Sequence, residues 1–158
     1  MIVLKLDFLY AVEREYPVNI ERLWAAWVNA QDLQDWYHPA DLLNVPGSAV
    51  SEATVGGRWS IAVDVPAYNF AAYFYGLYTV VEQHKTLEHT MCYTQSAEEF
   101  AALDDTAPHH VVRVDFEDRG ESSWVKFSQF GELPEGQVDA TKAGMTSYFD
   151  SLAAHLAQ

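Results

Sequence analysis

His89 is the side chain in this sequence best placed to do chemistry. It shares an alternating parity with Leu87, Met91 and Tyr93, so in a strand it points inward with them. A neutral imidazole there would orient a polar ligand group or act as a general base. The plain alternative is a core histidine bonded to a tyrosine or to backbone. His38, just past Trp36, is a second candidate, either at a cavity mouth or as a solvated loop residue. An enzyme would need one of them paired with an acid such as Asp64 or Glu88, and Glu88 has the wrong parity to meet His89. His109-His110 resembles a metal pair, but adjacent strand residues face opposite ways and no third ligand follows at a suitable spacing. Cys92, opposite in parity to His89, reads as a packing residue. No Ser or Cys occupies a nucleophile elbow. Gly56-Gly57 precedes a strand, without the helix dipole that holds phosphates. Neither metal nor cofactor is expected.

A binding surface is better supported than a catalytic one. Trp24, Trp36, Trp59, Ile61, Tyr78, Met91, Phe116, Phe127, Met145 and Phe149 supply apolar walls, and His89 and Gln129 supply orienting hydrogen bonds. Gln129 is polar on the parity of Val125 and Phe127. Met145, a flexible gap-filler, follows Gly144, a helix-interior glycine. For each aromatic taken singly, a filled core is the competing reading.

The elements that must position these residues are legible in the spacing. Leu4 to Tyr16 alternates as a long first strand, with Leu6, Phe8, Tyr10 and Val12 on one parity. Asn19 caps a helix whose stripe is Ile20, Leu23, Trp24, Trp27 and Val28, and Asn29 starts a second helix ended by Pro39. Asp41 to Ser48 reads as a loop. Val50 to Thr54 and the strand beginning at Trp59 flank a Gly56-Gly57 turn, and Trp59 to Val65 reads as half-buried. Tyr73 to Val81, Thr86 to Thr94, Val111 to Glu117 and Trp124 to Phe130 are further strands, with Gly76 marking a bulge or a close backbone approach. Gln95 to His110 is an acidic excursion with one helical turn at Ala97 to Leu103. A long helix from about Asp139 nearly to the end carries Met145, Tyr148, Phe149, Leu152 and Leu156 on one stripe.

The expected architecture is α+β in one domain, residues 1–158: a curled antiparallel sheet with a long C-terminal helix across its concave face. The helix would leave a cavity open toward the two short helices. A hydrophobic fraction of 49% supports a sizeable core. The net charge of −14 disfavours a nucleic-acid groove and an anionic membrane surface. Cys92 is the single cysteine, and no run approaches a membrane span. A cytoplasmic protein, monomer or homodimer, is expected.

The series Asn19-x-x-x-x-Trp24, Leu33-x-x-Trp36-x-x-Pro39, Val55-Gly56-Gly57-Arg58, Gly76-x-Tyr78, Leu87, Gly144-Met145 and Leu152 resembles the helix-grip, START-like superfamily, which includes birch-pollen-allergen-like proteins and polyketide cyclases. Within it the chain is most similar to proteins like the activators of the heat-shock-protein-90 ATPase. The resemblance implies the helix-grip fold and a non-catalytic domain for a small hydrophobic molecule. Its alternatives are a stress-related partner of a chaperone, or a cavity enzyme of cyclase or hydrolase type.

Overall fold

The computed structural model describes residues 6–158. Strand β1 (Asp7–Tyr16) leads into helices α1 (Ile20–Val28) and α2 (Ala30–Trp36); the expected strand start at Leu4 lies outside the described residues. Asn19 Oδ1 accepts from Arg22 N at 2.9 Å, and Asn29 Oδ1 accepts from Gln31 N at 2.9 Å, so both helices begin where a capping side chain meets unpaired N–H groups. Two short strands, β2 (Leu43–Asn44) and β3 (Val50–Ser51), precede β4 (Arg58–Val65), β5 (Phe70–Glu82) and β6 (Thr86–Thr94). Helix α3 (Ala97–Ala102) leads to β7 (His110–Arg119) and β8 (Ser122–Gly131), and α4 (Gln137–Leu156) closes the chain.

All strands pair antiparallel in the order β1-β8-β7-β6-β5-β4-β2, with β3 also on β4. This is the curled sheet gripping a terminal helix. The segment read as a loop, Asp41 to Ser48, contains β2. The turn before β4 closes through Gly57 N to Thr54 O at 2.8 Å, with φ +87° at Gly56, a conformation glycine adopts freely.

Two local expectations change, and of the two readings of Gly76 one holds. The parity of β1 breaks at Leu9, where the register slips between Phe8 and Tyr10. Phe8 therefore joins Phe130 on the outer face, with ring centroids 5.7 Å apart, while Tyr10 and Val12 face inward. Strand β4 is buried on both faces rather than one: Ser60 and Ala62 lie opposite Tyr75 and Tyr73, whose larger side chains shade them. In β5 the bulge falls between Tyr78 and Val80. Gly76 is instead the close approach, since a Cβ there would sit 1.9 Å from Thr90 O.

Helix α4 is fastened mainly through its C-terminal half. Tyr16 Oη donates to Phe149 O at 2.9 Å, and Ser151 Oγ donates to His38 O at 2.7 Å. Arg22, Asp32 and His155 tie α1, α2 and α4 together, with Asp32 Oδ1 at 3.0 Å from Arg22 and 2.6 Å from His155. Trp24, Trp27, Trp36, Tyr37, Phe116, Phe127 and Phe149 belong to one core cluster against this half.

Candidate ligand cavity

Beneath the N-terminal half of α4 the core gives way to a cavity of about 550 Å³. Its inner end is formed by Tyr10 of β1, Tyr37 just after α2, Phe127 and Gln129 of β8, and Met145 of α4, all buried. Its outer end reaches solvent at Tyr93, Pro108 and Gln137. The cavity therefore opens toward the α3–β7 connection and the start of α4, not toward the two short helices. Trp36, packed edge-on against Trp27 and Tyr37, seals the side where the opening was expected.

The acidic excursion forms the lip of this opening. Arg58 Nη1 and Nη2 bind the Asp105 carboxylate at 2.7 and 2.9 Å, a bidentate clamp. Its carboxylate partner raises the already high pKa of Arg58. Asp104 Oδ1 accepts from Thr106 N at 3.0 Å. These contacts set the backbone that carries Pro108, His109 and His110 to the rim.

Of the residues expected to line a site, Met91, Phe127, Gln129 and Met145 meet at this cavity. Trp24, Trp36, Trp59, Ile61, Tyr78, His89, Phe116 and Phe149 do not border it; they are buried core. Trp24 packs edge-on to Phe116 with centroids 5.1 Å apart, and Trp36 Nε1–H donates to Ala26 O at 2.7 Å. Tyr78 is bonded to Ser51 Oγ at 2.7 Å, and burial pushes its pKa up to about 12.

His89 is the chief correction. Its ring stacks on Trp59 with centroids 4.2 Å apart, and Nδ1 lies 2.8 Å from Thr90 O. Burial pushes its pKa down to about 4, against the opposing pull of the Thr90 carbonyl. Parity placed it on the correct face. Along β6, however, the cavity ends at Met91, and Trp59 fills the space beyond. His38 is buried too, with Nδ1 2.7 Å from Pro39 O and Nε2 3.1 Å from Asp35 O, so neither nitrogen is available to a substrate. Cys92 is buried on the other face of β6, where burial pushes its thiol up.

The polar groups of the cavity fall into two sets. One is a satisfied chain: Tyr10 Oη–H donates to Gln129 Oε1 at 2.5 Å, Gln129 Nε2–H to His110 Nδ1 at 2.7 Å, and His110 Nε2–H to Glu132 O at 3.1 Å. The other is a pair of tyrosines. Tyr37 and Tyr148 meet edge to face with centroids 5.0 Å apart, and among the described residues neither hydroxyl has a hydrogen-bond partner. Burial, followed by the Tyr148 phenol, raises the Tyr37 pKa, while burial and then Tyr93 raise that of Tyr148. Both stay neutral donors at ordinary pH.

Sequence reasoning missed this tyrosine set, although the signals existed. Tyr10 shares parity with Val12, His110 shares parity with Val112 and Val114, and Tyr148 lies on the α4 stripe. Gly144 also borders the cavity, where a Cβ would meet nothing within 4 Å. No close neighbour therefore requires a glycine there.

A family model described as Activator of Hsp90 ATPase homolog 1-like protein matches residues 17–157. The chain belongs to this family. Solved structures agree on the fold. The AHSA1 protein from Silicibacter pomeroyi superimposes with a TM-score of 0.77 at 19% identity, covering 94% of this chain and 96% of that one. A protein from Staphylococcus epidermidis gives 0.76 at 18% identity, covering 99% and 94%. DynU16, from the dynemicin biosynthetic locus, gives 0.69 at 17% identity over 96% of this chain and 48% of its own. At such identities the likeness is one of fold. No curated protein matches the chain significantly. This Hsp90-activator-like chain has no described helix long and apolar enough to cross a membrane.

Proposed function

We propose that this domain binds one small, mostly apolar molecule as a carrier or sensor and catalyses no reaction on it. The observation that supports the reading is the cavity itself. Its volume of about 550 Å³ falls within the roughly 300–1,000 Å³ of small-molecule sites. Phe74, Met91, Phe127, Leu133 and Met145 supply its apolar wall. The absence of catalysis is supported by the imidazoles. Those of His38 and His89 face backbone carbonyls, and His110 is engaged by Gln129 and Glu132 O. His109, at the rim, has Nδ1 3.2 Å from Ala107 O and, among the described residues, no carboxylate bonded to it. A cytoplasmic setting, as monomer or homodimer, is part of the same reading.

The test is a thermal-shift screen against fatty acids, sterols and polycyclic aromatic compounds. A true ligand at 100 times its Kd adds about 2.7 kcal/mol of stability, which raises Tm by several degrees in a domain of this size. No shift with any class would remove the carrier reading.

The family match favours a second reading, an interaction with the Hsp90 chaperone that raises its ATPase rate. A coupled ATPase assay with saturating protein reads this directly. An unchanged rate would exclude it.

A further inference from the structure

We propose that the cavity selects uncharged ligands bearing a hydrogen-bond-accepting oxygen, such as a ring ketone, and that the Tyr37 and Tyr148 hydroxyls donate to that oxygen. This rests on the reading that the cavity binds a ligand and goes on to specify the class of that ligand.

Charge supplies the first argument. The protein carries a net charge of −14, yet none of the described residues lining the cavity is Asp, Glu, Lys or Arg. A carboxylate ligand would find no Lys or Arg beside it, only the rim imidazoles of His109 and His110, and would enter against the field of the whole molecule. An ammonium would be drawn to the surface by that field but would lose its water inside without an anion to replace it. Both are disfavoured, and a neutral guest is not.

Hydrogen bonding supplies the second. Tyr10, Gln129 and His110 satisfy one another, so they demand nothing from a guest. Tyr37 is 4% exposed and borders the cavity, and its hydroxyl and that of Tyr148 are unpartnered among the described residues. The two rings meet edge to face with centroids 5.0 Å apart, and both line the cavity, so a guest there meets both phenols on the same wall. Neither hydroxyl is among the side-chain atoms sealed off without a partner, so each faces accessible space. A guest that covers it without bonding it incurs a desolvation cost, whereas one that accepts from it contributes specificity. A hydrocarbon of the same shape fills the space and leaves both donors unmet.

The experiment uses the full chain and four phenanthrenes of matched size, titrated calorimetrically at pH 7.5: acetylphenanthrene, ethylphenanthrene, phenanthrene carboxylate and phenanthrylmethylammonium. The ketone is expected to bind on the order of 10-fold tighter than the hydrocarbon, the ratio that two modest neutral hydrogen bonds supply. It should bind at least about 100-fold tighter than either ion, given the cost of burying an unpaired charge. In the Tyr37→Phe/Tyr148→Phe double variant the advantage over the hydrocarbon should disappear. Equal affinity for ketone and hydrocarbon in the wild-type chain overturns the selectivity and leaves the carrier reading standing. Tight binding of the carboxylate also overturns it. If none of the four binds while the thermal-shift screen finds a ligand of another class, the proposed selectivity is overturned and the carrier reading stands.

Discussion

At its C-terminal end α4 presents Phe149 and Leu152 to Tyr16 and Trp27, and no space remains. Two turns toward its N-terminus the same helix presents Thr141, Gly144 and Met145 to the same concave sheet face, and a cavity of about 550 Å³ opens. Both ends use inward residues of β1 and β8: Val12 and Val125 in the packed half, Tyr10 and Gln129 in the hollow one. What differs is the helix side chains and what stands across from them. Two short helices bring three tryptophans to the packed end, whereas at the hollow end Tyr37 and the rim segment carrying Pro108 to His110 border open space. The contrast separates two jobs: aromatic packing holds the grip, and small or flexible helix residues leave room.

Substitutions should register this division. The largest effect is expected in the packed half. Phe149→Ala should cost ~3–5 kcal/mol, as large-to-small changes at fully buried aromatics do, seen as a fall in urea midpoint; a loss below about 1 kcal/mol would mean that the packed half is loose.

Next comes the pH dependence set by His89. Its pKa is near 4 when folded and about 6.5 when unfolded. Between those values the unfolded chain holds the extra proton. The contribution is therefore complete above pH 6.5 and falls away as pH drops toward 4, by about 3 kcal/mol in all. His89→Asn should flatten this slope in urea titrations across that window. An unchanged slope would assign the acid sensitivity to other groups.

Two glycines sharpen the comparison, because the same substitution should act with opposite signs. Gly76→Ala drives a Cβ onto Thr90 O and should cost roughly 1–3 kcal/mol through overpacking. Gly144→Ala adds a methyl to open space and should raise stability by about 0.5–1 kcal/mol, the helix-propensity difference. Destabilisation by the second would show the cavity wall to be tighter than described.

The fold was largely legible in the sequence. Period-two runs gave the long strands, and Asn19 and Asn29 marked helix starts because an Asx side chain satisfies free N–H groups there. The site was legible only in part. Parity identifies a face, as it did for Met91, Phe127 and Gln129, but says nothing of how far along that face the filling extends. His89 and Met91 share a face of β6, and only the reach of Trp59 across from β4 decides that one is sealed and the other lines a cavity. The slip at Leu9 carries no local mark, since no glycine or proline sits there. It turned Phe8 outward while Tyr10 stayed in. The rim depends on Arg58 meeting Asp105, a contact between residues 47 apart that spacing cannot show.

The protein offers a direct test, because Met91 and Met145 both border the cavity while the indoles of Trp27 and Trp36 lie in the packed half. With methyl-labelled methionine and labelled indole nitrogen, acetylphenanthrene can be titrated and both sets of NMR signals followed together. The account predicts saturable shifts of the Met91 and Met145 methyls with the Trp27 and Trp36 indole signals unmoved. Methionine signals that stay fixed at saturating probe, or indole signals that move as far as the methyls, would contradict a hollow confined to the N-terminal half of α4.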